Sequence, residues 1–222
     1  MSNEISDWYK KTKASGFRKG ADFKDHEIDP CSMIGLIGQS GAGKSTALIE
    51  FISRAQKFTE IHLFSGSGSA TTESLYVMLK QRIPETKTYD DVKDIPDLES
   101  FEKETEKLII FDDWLQVNKK GMDKLAKFAT CSRKSGFTCF YLSQNYTSIP
   151  KTISRNFHYI FLFKVPDARS VETIYRNHVS GITKDEFKGL HQVITSQPRN
   201  FLMIDQKKNE LRRNFLQRIK TE

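Results

Sequence analysis

The 222-residue sequence predicts one α/β domain with a mainly parallel central sheet flanked by helices. Short, continuous apolar runs rich in Ile, Leu and Phe recur along the chain, and such runs are typical of strands buried on both faces. Segments with apolar residues at helical spacing lie between these runs. Strands that alternate with helices favour parallel pairing, and the length is sufficient for one well-buried core.

The elements follow one another along the chain in strand–helix order. The predicted strands are residues 32–37, 60–64, 107–111, 137–142, 159–165 and 200–205. The predicted helices are residues 44–56, 73–82, 98–106, 121–134 and 170–178. The Ser/Gly-rich residues 65–74 predict a mobile loop after the second strand.

The predicted domain, residues 32–205, has a segment on either side. Residues 1–31 are polar and predict an N-terminal extension that lies on the domain or is partly disordered. Residues 206–222 form a basic C-terminal tail in which Leu211, Phe215 and Ile219 have the spacing of one helical face. A role of this tail in contacts with another subunit is left open.

The net charge of +7 is unevenly distributed. Residues 1–150 contain 21 basic and 21 acidic side chains, whereas residues 151–222 contain 14 and 7. This asymmetry indicates a surface for a polyanion such as DNA, although a generally solvated basic surface explains it equally well. No apolar run approaches the roughly 20 residues that cross a bilayer, and the start of the chain lacks a secretion signal, so we expect an intracellular protein without membrane contact.

The stretch GQSGAGKST, at residues 38–46, has the pattern of a phosphate-binding loop between a strand and a helix. Its glycines allow a tight turn in which backbone N–H groups point at phosphate oxygens. Lys44 is expected to reach the β- and γ-phosphates of ATP, and the hydroxyl of Ser45 to bind Mg²⁺. The predicted nucleotide-binding residues are Gly38, Gln39, Ser40, Gly41, Ala42, Gly43, Lys44, Ser45 and Thr46.

Two further strands end in polar residues suited to triphosphate hydrolysis. The run KLIIFDDW ends in Asp112, expected to hold Mg²⁺ through its water shell, and Asp113, expected to orient or deprotonate the attacking water. The run FTCFYLSQN ends in Ser143, Gln144 and Asn145, of which Gln144 is expected to sense the γ-phosphate if its strand lies between the other two. Arg133, just before that strand, is a candidate for a cation supplied to a neighbouring subunit, or a surface or DNA-contacting arginine.

The order of these motifs over residues 32–205 resembles the genome-packaging ATPases of large double-stranded DNA viruses and virophages, a branch of the FtsK–HerA superfamily. The most specific part is FYLSQNYTSIPKTISRNFHYIFLFK, at residues 140–164. This resemblance implies a RecA-like P-loop NTPase of the additional-strand type, with Gln144 as the sensor. Relatives often have histidine after the trans-acting arginine, but Lys134 stands here, so the cation is Arg133, Lys134 or Arg155.

The resemblance also implies a biological setting. We expect a homo-oligomeric ring, a pentamer or hexamer, that hydrolyses ATP with Mg²⁺ and moves double-stranded DNA into a capsid, with capsid vertex proteins as partners. The basic tail is expected to contact the DNA, with a contact to another subunit or to the capsid as the alternative. The expected location is the intracellular site of virus assembly, such as a cytoplasmic factory, or the virion. A nucleoside or nucleotide kinase and an ATP-dependent DNA-binding adaptor without motor activity remain as alternatives. A GTPase is disfavoured because NKKG, at residues 118–121, lacks the aspartate that selects guanine.

Overall fold

The structure, a computed structural model, describes residues 19–55, 58–68 and 74–220. The predictions for residues 1–18 and for most of the Ser/Gly-rich loop, residues 69–73, therefore lie outside the described residues. The strands within that range are β1 Met33–Ile37, β2 Glu60–Ser65, β3 Lys87–Tyr89, β4 Lys107–Asp112, β5 Phe137–Ser143, β6 Tyr159–Leu162, β7 Leu202–Asp205, β8 Glu210–Arg213 and β9 Gln217–Arg218.

These strands form one sheet in the order β3-β2-β4-β5-β1-β6-β7-β8-β9. The six strands from β3 to β6 in this order are parallel, and β7, β8 and β9 add antiparallel pairs at one end. The predicted α/β class with a mainly parallel sheet is therefore confirmed. All six predicted strands are present, each within three residues of its predicted ends.

The α-helices among the described residues are α1 Phe23–His26, α2 Lys44–Arg54, α3 Ser74–Arg82, α4 Lys119–Cys131, α5 Lys151–Ser154, α6 Ala168–His178 and α7 Lys184–Thr195. Short 3-10 turns also occur, at Val92–Asp94, Leu98–Ser100, Trp114–Gln116, Ser132–Ser135 and Tyr146–Ser148. None of the helices in the described part of the chain has the length and apolar character needed to cross a membrane.

The core consists of two apolar clusters, one on each face of the sheet. Strand β4 contributes Ile109 and Phe111 to one cluster and Leu108 and Ile110 to the other, because successive side chains of a strand point to opposite faces. All four side chains are fully buried. This two-sided burial is the reason that the central strands have continuous rather than alternating apolar sequences.

The predicted helix over residues 98–106 is wrong. Leu98–Ser100 forms a single 3-10 turn, and the acidic segment around it is anchored by the buried side chains of Val92, Ile95 and Leu98. Its carboxylates form ion pairs with lysines of α4, Asp97 with Lys124 and Glu99 with Lys127. A helix over residues 98–106 would place Glu99, Glu102 and Glu106 three and four residues apart on one face, where like charges repel, whereas the irregular segment can reach the lysines.

The prediction of a helix in the basic tail, with Leu211, Phe215 and Ile219 on one face, is also wrong. The sheet continues through this segment as β8 and β9, at residues 210–213 and 217–218, and Leu211 and Phe215 are buried against it. The carboxylate of Asp205 accepts hydrogen bonds from the backbone N–H groups of Lys207 and Lys208, which fixes a tight turn after β7. Side-chain hydrogen bonds of this kind compete with helix formation at the start of the segment.

The cations of this C-terminal hairpin are largely neutralised. Fully buried Arg212 pairs with Asp205, Glu27 and Glu210. The remaining ion pairs of the hairpin are Lys207 with Asp29, Lys208 with Glu27, and Arg218 with Glu27 and Glu210. The excess charge of the last third of the sequence therefore also serves to attach the hairpin to residues 27–29.

Candidate nucleotide-binding site

The carboxyl edge of the parallel strands holds a polar cleft with a volume of about 380 Å³. Strand β5 lies between β1 and β4 in the sheet, as the sequence predicts for the additional strand. The loops after these three strands therefore meet at one place. The cleft is lined by Ser40, Gly41, Gly43, Lys44, Ser45, Thr46, Asp112, Asp113, Leu142, Ser143, Gln144 and Arg199.

The glycine loop begins at Gly38, directly after β1, and passes into α2. The N–H of Gly38 donates to the carbonyl oxygen of Ser143 at 3.0 Å, and that of Gln39 donates to the carbonyl oxygen of Lys164 at 2.9 Å. Gly41 and Gly43 have φ values of 73° and 105°, a region that side chains disfavour. The loop is thus tied to the end of β5 and to the segment after β6, and it ends at the positive N-terminus of an 11-residue helix.

Lys44 is the first residue of α2, and its ammonium group folds back over the loop. Its Nζ atom donates to the carbonyl oxygens of Gly38 at 2.7 Å and Gln39 at 3.1 Å. These contacts keep the charge above the loop, among the residues that line the cleft. An anion in the cleft would therefore meet both a cation and the end of a helix.

Asp112 is the last residue of β4 and is partly buried. Its Oδ2 atom accepts a hydrogen bond from the hydroxyl of Tyr76 at 2.5 Å, and its Oδ1 atom accepts one from the N–H of Asp113 at 3.0 Å. Burial raises the pKa of the Asp112 carboxyl above its ordinary value. The negative charge of Asp113 acts in the same direction, and the Tyr76 hydrogen bond and the charge of Lys44 oppose it.

Asp113 is exposed and has a left-handed backbone conformation, with φ 48° and ψ 33°. Its carbonyl oxygen lies close to Gly66, and a Cβ atom added to Gly66 would be only 2.3 Å from that oxygen. The turn that carries Asp113 is therefore in direct contact with the segment after β2. The sequence did not reveal the partners of this turn, Tyr76 in α3 and Gly66, because neither belongs to a recognisable motif.

The end of β5 is held in place on both sides. The indole Nε1 atom of Trp114 donates to the carbonyl oxygen of Leu142 at 2.9 Å. The hydroxyl of Ser143 exchanges hydrogen bonds with the backbone of Asn145, at 2.9 and 3.2 Å. Gln144 lies between these fixed residues, is exposed and lines the cleft. Its amide group is placed to contact a ligand there.

The three candidate cations for a neighbouring subunit do not line the cleft. Arg133 and Lys134 lie in the turn before β5, and Arg155 lies between α5 and β6. All three precede parallel strands and lie at the amino edge of the sheet, about 20 Å from the carboxyl edge by the length of β5. All three are exposed.

The cleft offers few protein ligands for a metal ion. Ser45, Asp112 and Asp113 line it together, while the described residues contain no cluster of three or more His, Cys, Asp or Glu that could hold a metal. Mg²⁺ commonly binds through one or two carboxylates, water and substrate phosphates rather than through an all-protein cage. The residues present therefore fit Mg²⁺ bound together with a nucleotide.

The glycine loop between strand and helix, the acidic end of β4 and the additional strand between them define a P-loop NTPase fold. Comparisons with protein-family models and with curated proteins found no match. Among solved structures, the chain is similar to B204, the DNA-packaging ATPase from Sulfolobus Turreted Icosahedral Virus. Identity is 14% and the TM-score 0.58, and the match covers 84% of this chain and 98% of B204.

Two further structures show the same likeness. The genome packaging NTPase B204 from Sulfolobus turreted icosahedral virus 2, in complex with AMPPCP, matches with 14% identity and a TM-score of 0.59, over 84% of this chain and 98% of that one. The pCW3 conjugation coupling protein TcpA matches with 14% identity and a TM-score of 0.55, over 78% of this chain and 57% of that one. The resemblance to FtsK–HerA-type packaging ATPases is thus confirmed at the level of the fold.

Proposed function

We propose that this chain is an ATP-hydrolysing motor that moves double-stranded DNA, and that it packages a viral genome into a capsid. The observation that carries the proposal is the division of the predicted catalytic residues between the two edges of the sheet. The phosphate loop, the carboxylate pair and Gln144 share one cleft, whereas the candidate trans-acting cations lie at the other edge. The similarity to the genome-packaging B204 proteins and to a conjugation coupling protein supports the same conclusion.

Within one chain, the proposed roles follow from position. The loop N–H groups and Lys44 bind the phosphates, and Asp113 orients or deprotonates the attacking water. Gln144 contacts the γ-phosphate or that water. Ser45 and Asp112 would hold Mg²⁺, and this ion would neutralise negative charge on the phosphate oxygens.

Completion of this site requires a second copy of the chain. None of the residues lining the cleft is Arg133, Lys134 or Arg155. One of them, at the amino edge of a neighbouring subunit, would contact the nucleotide across the interface and stabilise the charge that develops in hydrolysis. The proposed assembly is a closed homo-oligomeric ring, because a head-to-tail contact of this kind either closes or continues as a filament.

ATP hydrolysis measured against protein concentration, with and without duplex DNA, tests this proposal. We expect the rate per subunit to rise with concentration and to rise further with DNA. Lys44→Ala should lose ATP binding, and Asp113→Asn should bind ATP without hydrolysing it. Asp123→Asn, an exposed carboxylate on α4, is the matched control and should behave as wild type. A rate per subunit independent of concentration and DNA, or phosphate transfer to a nucleoside acceptor, would contradict the motor function.

A further inference from the structure

Arg199 lies in the connection between α7 and β7 and is part of the wall of the cleft that Lys44 and Ser45 also line. It belongs to no recognised motif, and the sequence SQPRN around it gives no indication of a ligand. Unlike Arg133 and Arg155, it lies at the same edge of the sheet as the glycine loop. The same chain therefore brings a second cation to the cleft.

The backbone of Arg199 has a conformation that suits glycine better than arginine. Its φ value is 68°, and it follows Pro198 in a turn where the N–H of Asn200 donates to the carbonyl oxygen of Gln197 at 3.3 Å. Proline followed by a residue of positive φ is the pattern of a type II turn, in which Gly or Asn normally occupies the third position. An arginine here costs conformational free energy, and such costs concentrate at functional sites.

The Arg199 turn is in direct contact with the glycine loop. A Cβ atom at Gly43 would lie 3.0 Å from the Cα atom of Arg199 and 3.3 Å from its Cγ atom. The glycine at position 43 thus gives the loop its turn and also admits the backbone of Arg199. This contact fixes the start of the Arg199 side chain beside the N-terminus of α2.

The turn is held in place by residues other than the Arg199 side chain. Gln197 Oε1 accepts hydrogen bonds from Arg213 Nη2 at 2.6 Å and from Asn200 Nδ2 at 3.0 Å. Asn214 Nδ2 donates to Asn200 Oδ1 at 3.1 Å. Among the residues that the structure describes, no hydrogen bond or ion pair uses the guanidinium of Arg199. That group is exposed, charged and not needed to maintain the turn.

We propose that Arg199 is a same-subunit cation that binds the phosphate chain of the nucleotide. A guanidinium presents a planar set of N–H donors that pairs with phosphate oxygens, often through two bonds at once. This role rests on the proposed function of the cleft and extends it, because the contact exists within one subunit. Arg199 contributes to nucleotide binding by the monomer, whereas the cation from a neighbouring subunit contributes only after assembly.

The substitution Arg199→Gly separates binding from folding. It removes the guanidinium and relieves the backbone strain, so the midpoint of thermal unfolding should stay the same or rise. The affinity for ATP with Mg²⁺ should fall roughly 10- to 100-fold, the range for a lost charged hydrogen bond. The ATP affinity of Arg199→Lys should lie between those of wild type and Arg199→Gly. Arg176→Ala, an exposed arginine in the last turn of α6, is the control and should bind as wild type.

Displacement of a fluorescent ATP analogue by ATP and by inorganic tripolyphosphate identifies the contacted group. If Arg199 binds phosphates, Arg199→Gly loses affinity for both competitors by a similar factor. Unchanged ATP affinity in Arg199→Gly, or a loss for ATP with none for tripolyphosphate, overturns the assignment while leaving the proposed function intact. A wild-type chain that binds neither competitor would instead overturn the proposed function of the cleft.

Discussion

The hydroxyl of Tyr76 donates a hydrogen bond to Asp112 over 2.5 Å, linking α3 to the acidic end of β4. Tyr76 is only 1% exposed, and the second oxygen of Asp112 is occupied by the N–H of Asp113. Burial raises the pKa of Asp112, and the tyrosine hydrogen bond is the strongest of the interactions that oppose this rise. The helix after β2 therefore influences the charge state of a residue proposed to hold Mg²⁺.

Tyr76→Phe should shift the pH dependence of ATP binding in the presence of Mg²⁺. Loss of the hydroxyl raises the pKa of Asp112 further, so its carboxylate becomes protonated at a higher pH on acidification. Affinity for ATP with Mg²⁺ should therefore begin to fall at a higher pH than in wild type, which titration at several pH values measures. Tyr89→Phe, whose hydroxyl contacts His62 instead, is the control. Superimposable pH profiles for Tyr76→Phe and wild type would contradict a role of this bond.

Gly43→Ala should destabilise the protein and abolish nucleotide binding. Its φ of 105° disfavours any side chain, and the added Cβ would press on the backbone of Arg199. We expect a loss of about 1–3 kcal/mol in the free energy of unfolding. Gly189→Ala is the control: Gly189 lies in α7 with open space around a Cβ, and the substitution should stabilise by about 0.5–1 kcal/mol. Equal stability for the two variants would contradict the strain at Gly43.

The sequence predicted the strands and loop of the cleft because each carries its own local signal. The run that ends in Asp112 is apolar over the whole length of β4, and the glycine loop follows β1 directly. Strand β3 has only three residues at the sheet edge, too few to form a pattern. Helix α7 was missed, although the Thr183 and Glu186 capping box at its start is a readable signal.

Two contributions to the site could not be predicted from the sequence because they depend on tertiary contacts. Tyr76 reaches Asp112 from 36 positions away in the chain. Arg199 reaches the glycine loop only because β7 returns antiparallel beside β6 and so brings the preceding turn to the carboxyl edge. Neither residue has a motif, and long-range packing decides both positions.

Arg133→Ala should lose hydrolysis but retain ATP binding. If Arg133 acts across the subunit interface, removing it should slow hydrolysis roughly 1,000-fold or more. Mixing it with Asp113→Asn should restore part of the activity, because some interfaces then combine an intact Arg133 with an intact Asp113. Lys134→Ala and Arg155→Ala, each mixed with Asp113→Asn in the same way, identify which cation acts. Arg176→Ala is the control. Failure of every mixture to recover activity would contradict a cation supplied by a neighbouring subunit.

Arg212→Ala should destabilise the fold. Arg212 and Asp205 are both fully buried and joined by a 2.7 Å ion pair, so truncation of the arginine leaves a buried carboxylate unpaired. We expect a loss of about 3–5 kcal/mol in the free energy of unfolding, measured by chemical denaturation. Lys220→Ala, an exposed residue after β9, should change it by less than about 0.5 kcal/mol.

Truncation after Gln206 should unfold the domain, because it removes β8 and β9, including buried Leu211 and Phe215. The double variant Asp205→Asn/Arg212→Met, which keeps an acceptor oxygen for the turn after β7, tests whether the charges themselves are essential. If the ion pair serves mainly to avoid an unpaired charge, this variant should be more stable than Arg212→Ala. An equally unstable double variant would contradict that reading of the pair.

His62 should make stability depend on pH below neutrality. Its side chain is fully buried in β2, and its Nδ1 atom lies 2.9 Å from the Tyr89 hydroxyl. Burial lowers its pKa from 6.5 to about 4. The charges of Lys87 and Lys107 add to this lowering, and Glu60 opposes it. In the unfolded chain His62 binds a proton near pH 6.5, so between about pH 6.5 and 4 the unfolded state holds more protons than the folded state.

The free energy of unfolding should therefore fall on acidification through that window. The His62 contribution is on the order of 3 kcal/mol by pH 4, since each pKa unit corresponds to about 1.4 kcal/mol. His62→Phe removes the titrating group and places an apolar ring among the neighbouring aromatic rings of Phe101 and Phe137. Urea denaturation at pH 4.5, 5.5, 6.5 and 7.5 should show a shallower pH dependence for this variant than for wild type. The same pH dependence of the free energy of unfolding in both proteins would contradict a lowered pKa of His62 in the folded state.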